Sequence, residues 1–464
     1  MVLRWVILIA VDVALAIIAL YTATLVLLGA SEVRVNEGEL ATFVTTCVFI
    51  LVIVFSAHLM EAYEFTRNTK KMEVLVNVLS GTVTAFFLLS VIYYLDPTVL
   101  LGRGVLILSL LIFALLQFLW HALYLAGNKS PRFSPRVLVL GTGELAAKIG
   151  DLITSKKSNF ALAGYTSCEN PDAAQTGRAV PPVEVPQEAV VGTSGDLLAT
   201  ALQARADIIV VALSERRGQF PFRDVLKCKL NNIQILDAPT LYERIQGKLM
   251  LETITPSWLI FSDGFHRTTF FSLSKRGVDI ALSVIGLILT LPFFPLIALA
   301  IKLDSKGPVF FRQLRVGNRE KLFMLYKFRS MRQDAEQNSG AIWAEKNDPR
   351  VTRLGCFLRN SRVDELPQLI NVLKGDMSFI GPRPERPEFV EKLKEIIPYY
   401  LKRHSIHPGL TGWAQVRYPY GASVEDAVEK LRYDLYYIKN ISPFLDTLIF
   451  LETIKVILFG RGVR

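Results

Sequence analysis

The segment Arg359-Asn360-Ser361-Arg362-Val363-Asp364-Glu365-Leu366-Pro367-Gln368 sets two adjacent carboxylates beside two arginines. A carboxylate whose charge is offset by cations or a metal can attack phosphorus and form an acyl phosphate. Asp364 and Glu365 are also hard oxygen donors of the kind that share Mg²⁺ with a substrate phosphate. A plainer reading is compatible with that chemistry: Ser361 caps a helix, and Asp364 completes a capping box.

Three other patterns could do chemistry. In Leu325-Tyr326-Lys327-Phe328-Arg329-Ser330-Met331, apolar and basic residues alternate, which predicts a half-buried strand aiming Lys327 and Arg329 the same way, as a diphosphate would require. These two belong to a run of seven cations (Arg312, Arg315, Arg319, Lys321, Lys327, Arg329, Arg332) with Glu320 as its one acid. Most of that run reads as a solvated face beside anionic lipid. In Gly381-Pro382-Arg383-Pro384, Pro382 and Pro384 fix the backbone around Arg383, so its guanidinium is framed for a phosphate.

The fourth pattern is Gly141-Thr142-Gly143-Glu144-Leu145-Ala146, a dinucleotide fingerprint between a predicted strand and helix. An NAD-type nucleotide there competes with a regulatory or purely structural role. Glu169 comes late for a ribose-binding acid, and Tyr165 and Tyr242 are followed four residues on by Glu169 and Gln246, not by the lysine of hydride chemistry. His404 and His407 stand in no metal-ligand pattern. Cys47, Cys168, Cys228 and Cys356 form neither a zinc spacing nor a disulfide framework, which fits a reducing setting.

The elements that must position these residues are those of a membrane protein. Hydrophobic residues make up 51% of 464, charged residues 20%, and mean hydropathy is +0.35. Residues 2–28, 40–60, 74–95 and 105–126 are apolar runs long enough to cross the ~30 Å hydrocarbon layer as helices. Arg4, Arg67, Lys70, Lys71, Lys129, Arg132 and Arg136 flank them on the side that positive charge marks as cytoplasmic. From residue 134 short apolar strands (137–140, 161–165, 208–213, 233–236) alternate with helices (144–153, 197–205, 222–230), which predicts a parallel, doubly wound sheet. Residues 179–186 read as a Pro-rich surface loop and 256–271 as a linker.

A fifth apolar run, 278–301, has Lys275 and Arg276 before it and Lys302, Lys306, Arg312 and Arg315 after it, and Pro292 and Pro295 interrupt it. A sharp bend at the prolines and basic residues at both ends predict a helix that enters and leaves by one face; a proline-kinked span is the alternative. Residues 443–459 read as an interfacial or buried amphipathic helix. From Ser272 to Arg464 there are 30 Lys+Arg against 20 Asp+Glu, so the whole net charge of +10 lies in that stretch. Anionic lipid, phosphates or both are the partners this suggests, and no nucleic-acid motif is present.

With those residues in view, the chain resembles the polyprenyl-phosphate hexose-1-phosphate transferases, bacterial enzymes that start exopolysaccharide or O-antigen assembly. The matching stretches are Lys275-Arg-Gly-Val-Asp279, Lys302-Leu-Asp-Ser-Lys-Gly-Pro-Val-Phe-Phe-Arg312, Tyr326-Lys-Phe-Arg-Ser-Met331, Asp364-Glu-Leu-Pro-Gln-Leu369, Leu373-Lys-Gly-Asp-Met-Ser-Phe-Ile-Gly-Pro-Arg-Pro384 and Pro408-Gly-Leu-Thr-Gly-Trp-Ala-Gln415. The resemblance implies a long form: four transmembrane helices (1–128), a Rossmann-like domain (134–255), a linker (256–271), and a mainly helical catalytic domain (272–464) with a re-entrant helix at 278–301. It implies a ping-pong reaction. Asp364 would attack a nucleotide-diphosphate sugar, with a UDP-hexose as the family's habit, and polyprenyl phosphate would accept the sugar phosphate. Glu365 would bind Mg²⁺ or manage a proton, and Lys327, Arg359 and Arg383 would hold phosphates. The family's re-entrant helix breaks at Pro292, where small members often carry Ser-Pro and this chain has Leu291-Pro292. Implied too are a bacterial inner-membrane location with a cytoplasmic catalytic domain, and a homodimer as one oligomeric arrangement. Two rivals stay open: a membrane-tethered NAD-dependent epimerase or dehydratase, and a non-catalytic scaffold for polysaccharide assembly.

Overall fold

A computed structural model of the chain describes residues 2–32, 39–60, 62–63, 71–97, 101–129, 134–155, 158–168, 183–213, 220–254, 258, 264–265, 268–333, 348–418, 421 and 423–459. Arg67, Lys70, Arg132 and Glu169, and most of the expected linker, lie outside these. The chain divides into two compact units, Met1–Gln246 and Gly247–Arg464.

The first unit opens with four apolar helices: α1 (Val2–Glu32), α2 (Glu39–Leu59), α3 (Lys71–Leu95) and α4 (Arg103–Lys129). Three are long and apolar enough to cross a membrane, over Trp5–Gly29, Lys71–Leu95 and Arg103–Gly127; α2 is apolar over the shorter stretch Phe43–Leu59. α1 packs on α4, and α3 packs on both α2 and α4. Ala16, Ala19 and Ala23 are fully buried on one face of α1, where small side chains let backbones approach closely. Leu111, Leu115, Leu119 and Leu123 point outward from α4, so apolar residues cover both faces as lipid contact requires. A polar cluster is buried among them: Asp12 Oδ2 accepts from Gln117 Nε2 at 2.6 Å, and His121 Nε2 lies 3.3 Å from Oδ1.

The same unit then forms a five-stranded parallel sheet: β1 (Arg136–Leu140), β2 (Ala161–Ser167), β3 (Val190–Thr193), β4 (Ile208–Val211) and β5 (Gln234–Asp237), in the order β3-β2-β1-β4-β5. Helices α5 (Glu144–Thr154), α6 (Leu197–Gln203), α7 (Phe222–Leu230) and α8 (Ala238–Gln246) are interleaved with the strands. Val137 and Val139 face one core with Ile149 and Leu241; Leu138 and Leu140 face another with Leu197 and Cys228. Strands buried on both faces read as unbroken apolar runs, which is why they were legible. Edge strand β3 is short and half exposed, so it forms no such run. In the described part of the expected surface loop, Val183, Glu184 and Pro186 are exposed, while Val185 packs into the first core.

The second unit begins where Gly247 O accepts from the Trp413 indole at 2.7 Å and Leu249 N–H bonds to Arg432 O. Its first long element is α9 (Thr269–Thr290), a 3-10 turn (Leu291–Phe293) and α10 (Phe294–Asp304). Together they form the fourth stretch long and apolar enough to cross a membrane, Thr269–Asp304. The backbone stays right-handed at Thr290, Leu291, Phe293 and Phe294, so the interruption at Pro292 is one tightened turn.

One stripe of this helix docks along the unit. Arg276 donates to Val372 O and Leu373 O at 2.5 and 2.7 Å, and Asp279 accepts from Phe379 N–H at 2.9 Å. Gly286 lies against Leu369, where a Cβ would stand 3.0 Å from the leucine methyl. Phe294, Ile297 and Ile301 pack on Phe328, Leu358, Val363 and Leu366. These positions share one helical face. The other face exposes Ile288, Leu289, Leu291, Phe293, Leu296 and Leu299.

An antiparallel hairpin follows, β6 (Phe310–Val316) and β7 (Leu322–Phe328). Then come α11 (Arg353–Asn360), α12 (Gln368–Lys374), β8 (Ser378–Ile380), α13 (Pro387–Ile396), β9 (Gly409–Thr411), α14 (Trp413–Arg417), α15 (Val424–Lys439) and α16 (Pro443–Phe459). In α16 Glu452 and Lys455 are buried, and Asp446 pairs with Lys275 at 2.7 Å.

Candidate active site

Asp364 and Glu365 sit on a 3-10 turn, Val363–Glu365, between α11 and α12. The turn is entered through Arg362 in the left-handed region (φ 59), and Pro367 precedes the first residue of α12. The capping-box expectation is corrected here. Ser361 ends α11, with Oγ donating to Phe357 O at 2.8 Å, and Thr352 caps its start instead. Asp364 is thereby left free of a capping duty.

Lys327 reaches the turn from β7. Phe323 and Leu325 on the same strand face fill a core with Val372 and Met377, so Lys327 is carried to the carboxylates on that face. Its Nζ donates to Glu365 Oε1 at 2.8 Å, and Arg383 Nη2 donates to the same oxygen at 2.8 Å. Arg362 stands 4.0 Å from Oε2. Pro382 and Pro384 frame Arg383 in an irregular segment after β8. Arg359 Nε donates to Ser330 Oγ at 3.0 Å.

The two carboxylates are buried alike but sit differently. Burial raises the pKa of both. In Glu365, Arg383, Lys327 and Arg362 overcome burial and hold it well below the usual carboxylate range. In Asp364 burial wins: Lys327 pulls it down, the neighbouring Glu365 charge pushes it up, and Arg359 and Arg383 pull it down again, leaving it raised. Burial also lowers Lys327, against the pull of Glu365. Glu365 is the tightly held anion, and Asp364 is the basic, weakly solvated one within the field of three cations. That division suits one structural and one nucleophilic carboxylate.

Arg329 does not join them, contrary to the expected parallel aim with Lys327. β7 ends at Phe328, and the buried Arg329 turns to the end of α10, where Nη2 donates to Ser305 O at 2.6 Å and to Ser305 Oγ at 2.9 Å. A cation at a helix C-terminus satisfies orphan carbonyls and complements the dipole. Gly307 (φ 128) makes the room: a Cβ there would stand 2.1 Å from Arg329 Nη1.

For Mg²⁺, the donors at hand are Asp364 and Glu365 Oε2. Among the described residues no cluster of three or more His, Cys, Asp or Glu exists. Mg²⁺ commonly uses one or two carboxylates and completes its shell with phosphate oxygens and water, so this pair fits it. The glycines of the dinucleotide fingerprint also have a packing role. Gly141 (φ 128) passes so close to β4 that a Cβ would stand 2.6 Å from Ala212 O. Gly143 precedes α5, whose first turn carries Glu144, paired with Lys148 at 2.6 Å. A negative charge at a helix N-terminus complements the helix dipole.

Comparison with known proteins bears on the family. Residues 270–460 match the family described as bacterial sugar transferase. A UDP-N-acetylgalactosamine-undecaprenyl-phosphate N-acetylgalactosaminephosphotransferase of Aeromonas hydrophila is 43% identical over 52% of this chain and 56% of its own length. An undecaprenyl-phosphate glucose phosphotransferase of Komagataeibacter xylinus is 33% identical over 71% of this chain and 60% of its own. The chain thus spans little more than half the length of these two relatives. An exopolysaccharide production protein of Rhizobium leguminosarum bv. phaseoli is 45% identical over 40% of this chain and 97% of its own length. A match that takes in nearly the whole of that relative, together with the family match over 270–460, shows that the chain belongs to the bacterial sugar transferase family.

Proposed function

We propose that this protein transfers a hexose-1-phosphate from a UDP-sugar to undecaprenyl phosphate at the cytoplasmic face of the inner membrane. The observation that carries the reading is the unequal pair: Asp364 with a raised pKa among Lys327, Arg359 and Arg383, beside Glu365 already occupied by ion pairs. In the first half-reaction an Asp364 oxygen bonds to the sugar-linked phosphorus, the bond to the nucleoside monophosphate breaks, and that monophosphate departs. In the second, a phosphate oxygen of the lipid bonds to the same phosphorus, the bond to Asp364 breaks, and the carboxylate is restored. Lys327, Arg359 and Arg383 offset the charge that builds on the phosphoryl oxygens. Bound Mg²⁺ would add Lewis-acid stabilisation of those oxygens. One named relative carries UDP-N-acetylgalactosamine in its name and another carries glucose, so the sugar here is to be found by assay.

Purified protein with Mg²⁺, undecaprenyl phosphate and a panel of UDP-sugars should release UMP with one of them. Release of none would leave the scaffold reading, and a nicotinamide absorbance change would favour the epimerase.

The same reading makes Thr269–Asp304 re-entrant. Arg276, near its start, and Ile301, near its end, both dock on the second unit, and the intervening stripe follows that surface while the opposite face offers apolar side chains to lipid. A reporter fused after Arg464 should therefore label as cytoplasmic. An external label would mean a kinked span.

A further inference from the structure

Behind Arg383 lies a set of buried charges that the transfer chemistry does not touch. Pro382 and Pro384 have no N–H, so this segment is anchored largely through its carbonyls. All four from Pro382 to Glu385 have donors. Gly409 N–H bonds to Pro382 O at 2.9 Å and Val316 N–H to Glu385 O at 3.0 Å. Between them, Arg403 Nη2 donates to Arg383 O at 3.1 Å and Arg315 Nη1 to Pro384 O at 3.0 Å.

Arg403 comes from the 3-10 turn Tyr400–Ser405 and is 5% exposed. Its Nη1 donates to Tyr400 Oη at 2.8 Å, and its Nη2 lies 2.8 Å from Asp434 Oδ2 on α15. Asp434 is 1% exposed. Burying such a pair costs desolvation that an apolar pair of similar size would avoid, so stability alone is a poor reason to keep it. What the pair does accomplish is geometric. It fixes the fork of Arg403 against one main-chain oxygen, that of the residue whose guanidinium meets Glu365.

We propose that Arg403, oriented by Asp434 and Tyr400, is a positioning residue for the transfer site: it holds the Arg383 main chain so that the Arg383 guanidinium is presented to Glu365 and to the substrate phosphate. The proposal rests on the transfer reading given above. Misplacing a phosphate-binding group by about 1 Å can cost roughly 10²-fold in rate.

The test is a double-mutant cycle in the purified full chain, reading UMP release. Arg403→Lys keeps the charge opposite Asp434 but loses the fork. It should lower kcat/KM roughly 10- to 100-fold. In an Arg383→Lys background the same change should cost less than about 3-fold, because the group it positions is gone. An equal loss in both backgrounds overturns the proposal. Tyr400→Phe, which removes only the hydroxyl that accepts from Nη1, should act in the same direction and show the same coupling if Arg403→Lys fails to fold. Hydrogen exchange over residues 381–386 should speed up in either variant, and unchanged exchange in both is contrary to the proposal. If the unmodified protein releases no UMP from any sugar, the transfer reading has failed, and exchange alone still decides whether Arg403 holds this segment.

Discussion

Asp364→Asn should abolish both UMP release and the phosphosugar-labelled protein, while the protein remains membrane-inserted. The amide is nearly the same size, so the turn Val363–Glu365 and the ion pairs of Glu365 survive. What disappears is the group proposed to bond to phosphorus, and loss of a nucleophile costs roughly 10³-fold or more in kcat. Turnover within about 10-fold of the unmodified protein would remove Asp364 from that role.

The unmodified enzyme carries a second signature of the same group. The reactive form is the carboxylate, and burial raises its pKa above the ordinary 3.8. The acid limb of kcat/KM should therefore lie above that value, with activity lost as pH falls through it. A limb at or below 3.8 would mean that another group controls the rate.

Glu365→Gln should be the most destabilising single change at the site. It leaves Lys327 Nζ and Arg383 Nη2 without the anion that both now meet at 2.8 Å. Breaking a buried pair by removing one partner costs about 3–5 kcal/mol, and the lower end applies because the Arg383 side chain is a third exposed. Denaturant unfolding of the purified protein would read this, and a loss below about 1 kcal/mol would show the pairs to be screened as surface pairs are.

The pH dependence has a definite sign. Although burial raises it, Arg383, Lys327 and Arg362 hold Glu365 well below its ordinary 4.5. Its contribution is therefore complete above pH 4.5 and is lost as pH falls toward the depressed folded value. Glu365→Gln should lack that acid-side loss. Adding Lys327→Met to Glu365→Leu should recover only the part of the loss that comes from the stranded Lys327, because Arg383 still lacks the anion it meets at 2.8 Å, and should recover none of the turnover.

Much of this protein was legible because its signals are local. Apolar runs of membrane-spanning length mark α1, α3 and α4 without any tertiary information, and the apolar strands of the parallel sheet stand out because both faces are covered. Asp364, Glu365 and Arg359 are neighbours in sequence, so their shared field needs little folding to form. Lys327 follows from strand alternation, whereas Arg329 lies one residue past the strand's end, where that alternation no longer holds. Ser361 was read as starting a helix, whereas Thr352, nine positions earlier, caps a helix that ends there.

The sequence by itself determined the membrane character, the alternating strand–helix domain, the place of the candidate carboxylates and the positive charge around them. Periodicity, composition and adjacency act within a few residues and survive in one dimension. Only the tertiary structure decided which cation serves which group. It gave Glu365 to Lys327 and Arg383, Arg329 to the end of α10, and Arg403 to the Arg383 carbonyl. Those partners stand 20 or more residues apart in most cases, and in a buried site the choice turns on desolvation and hydrogen-bond geometry, which exist only once the chain has folded.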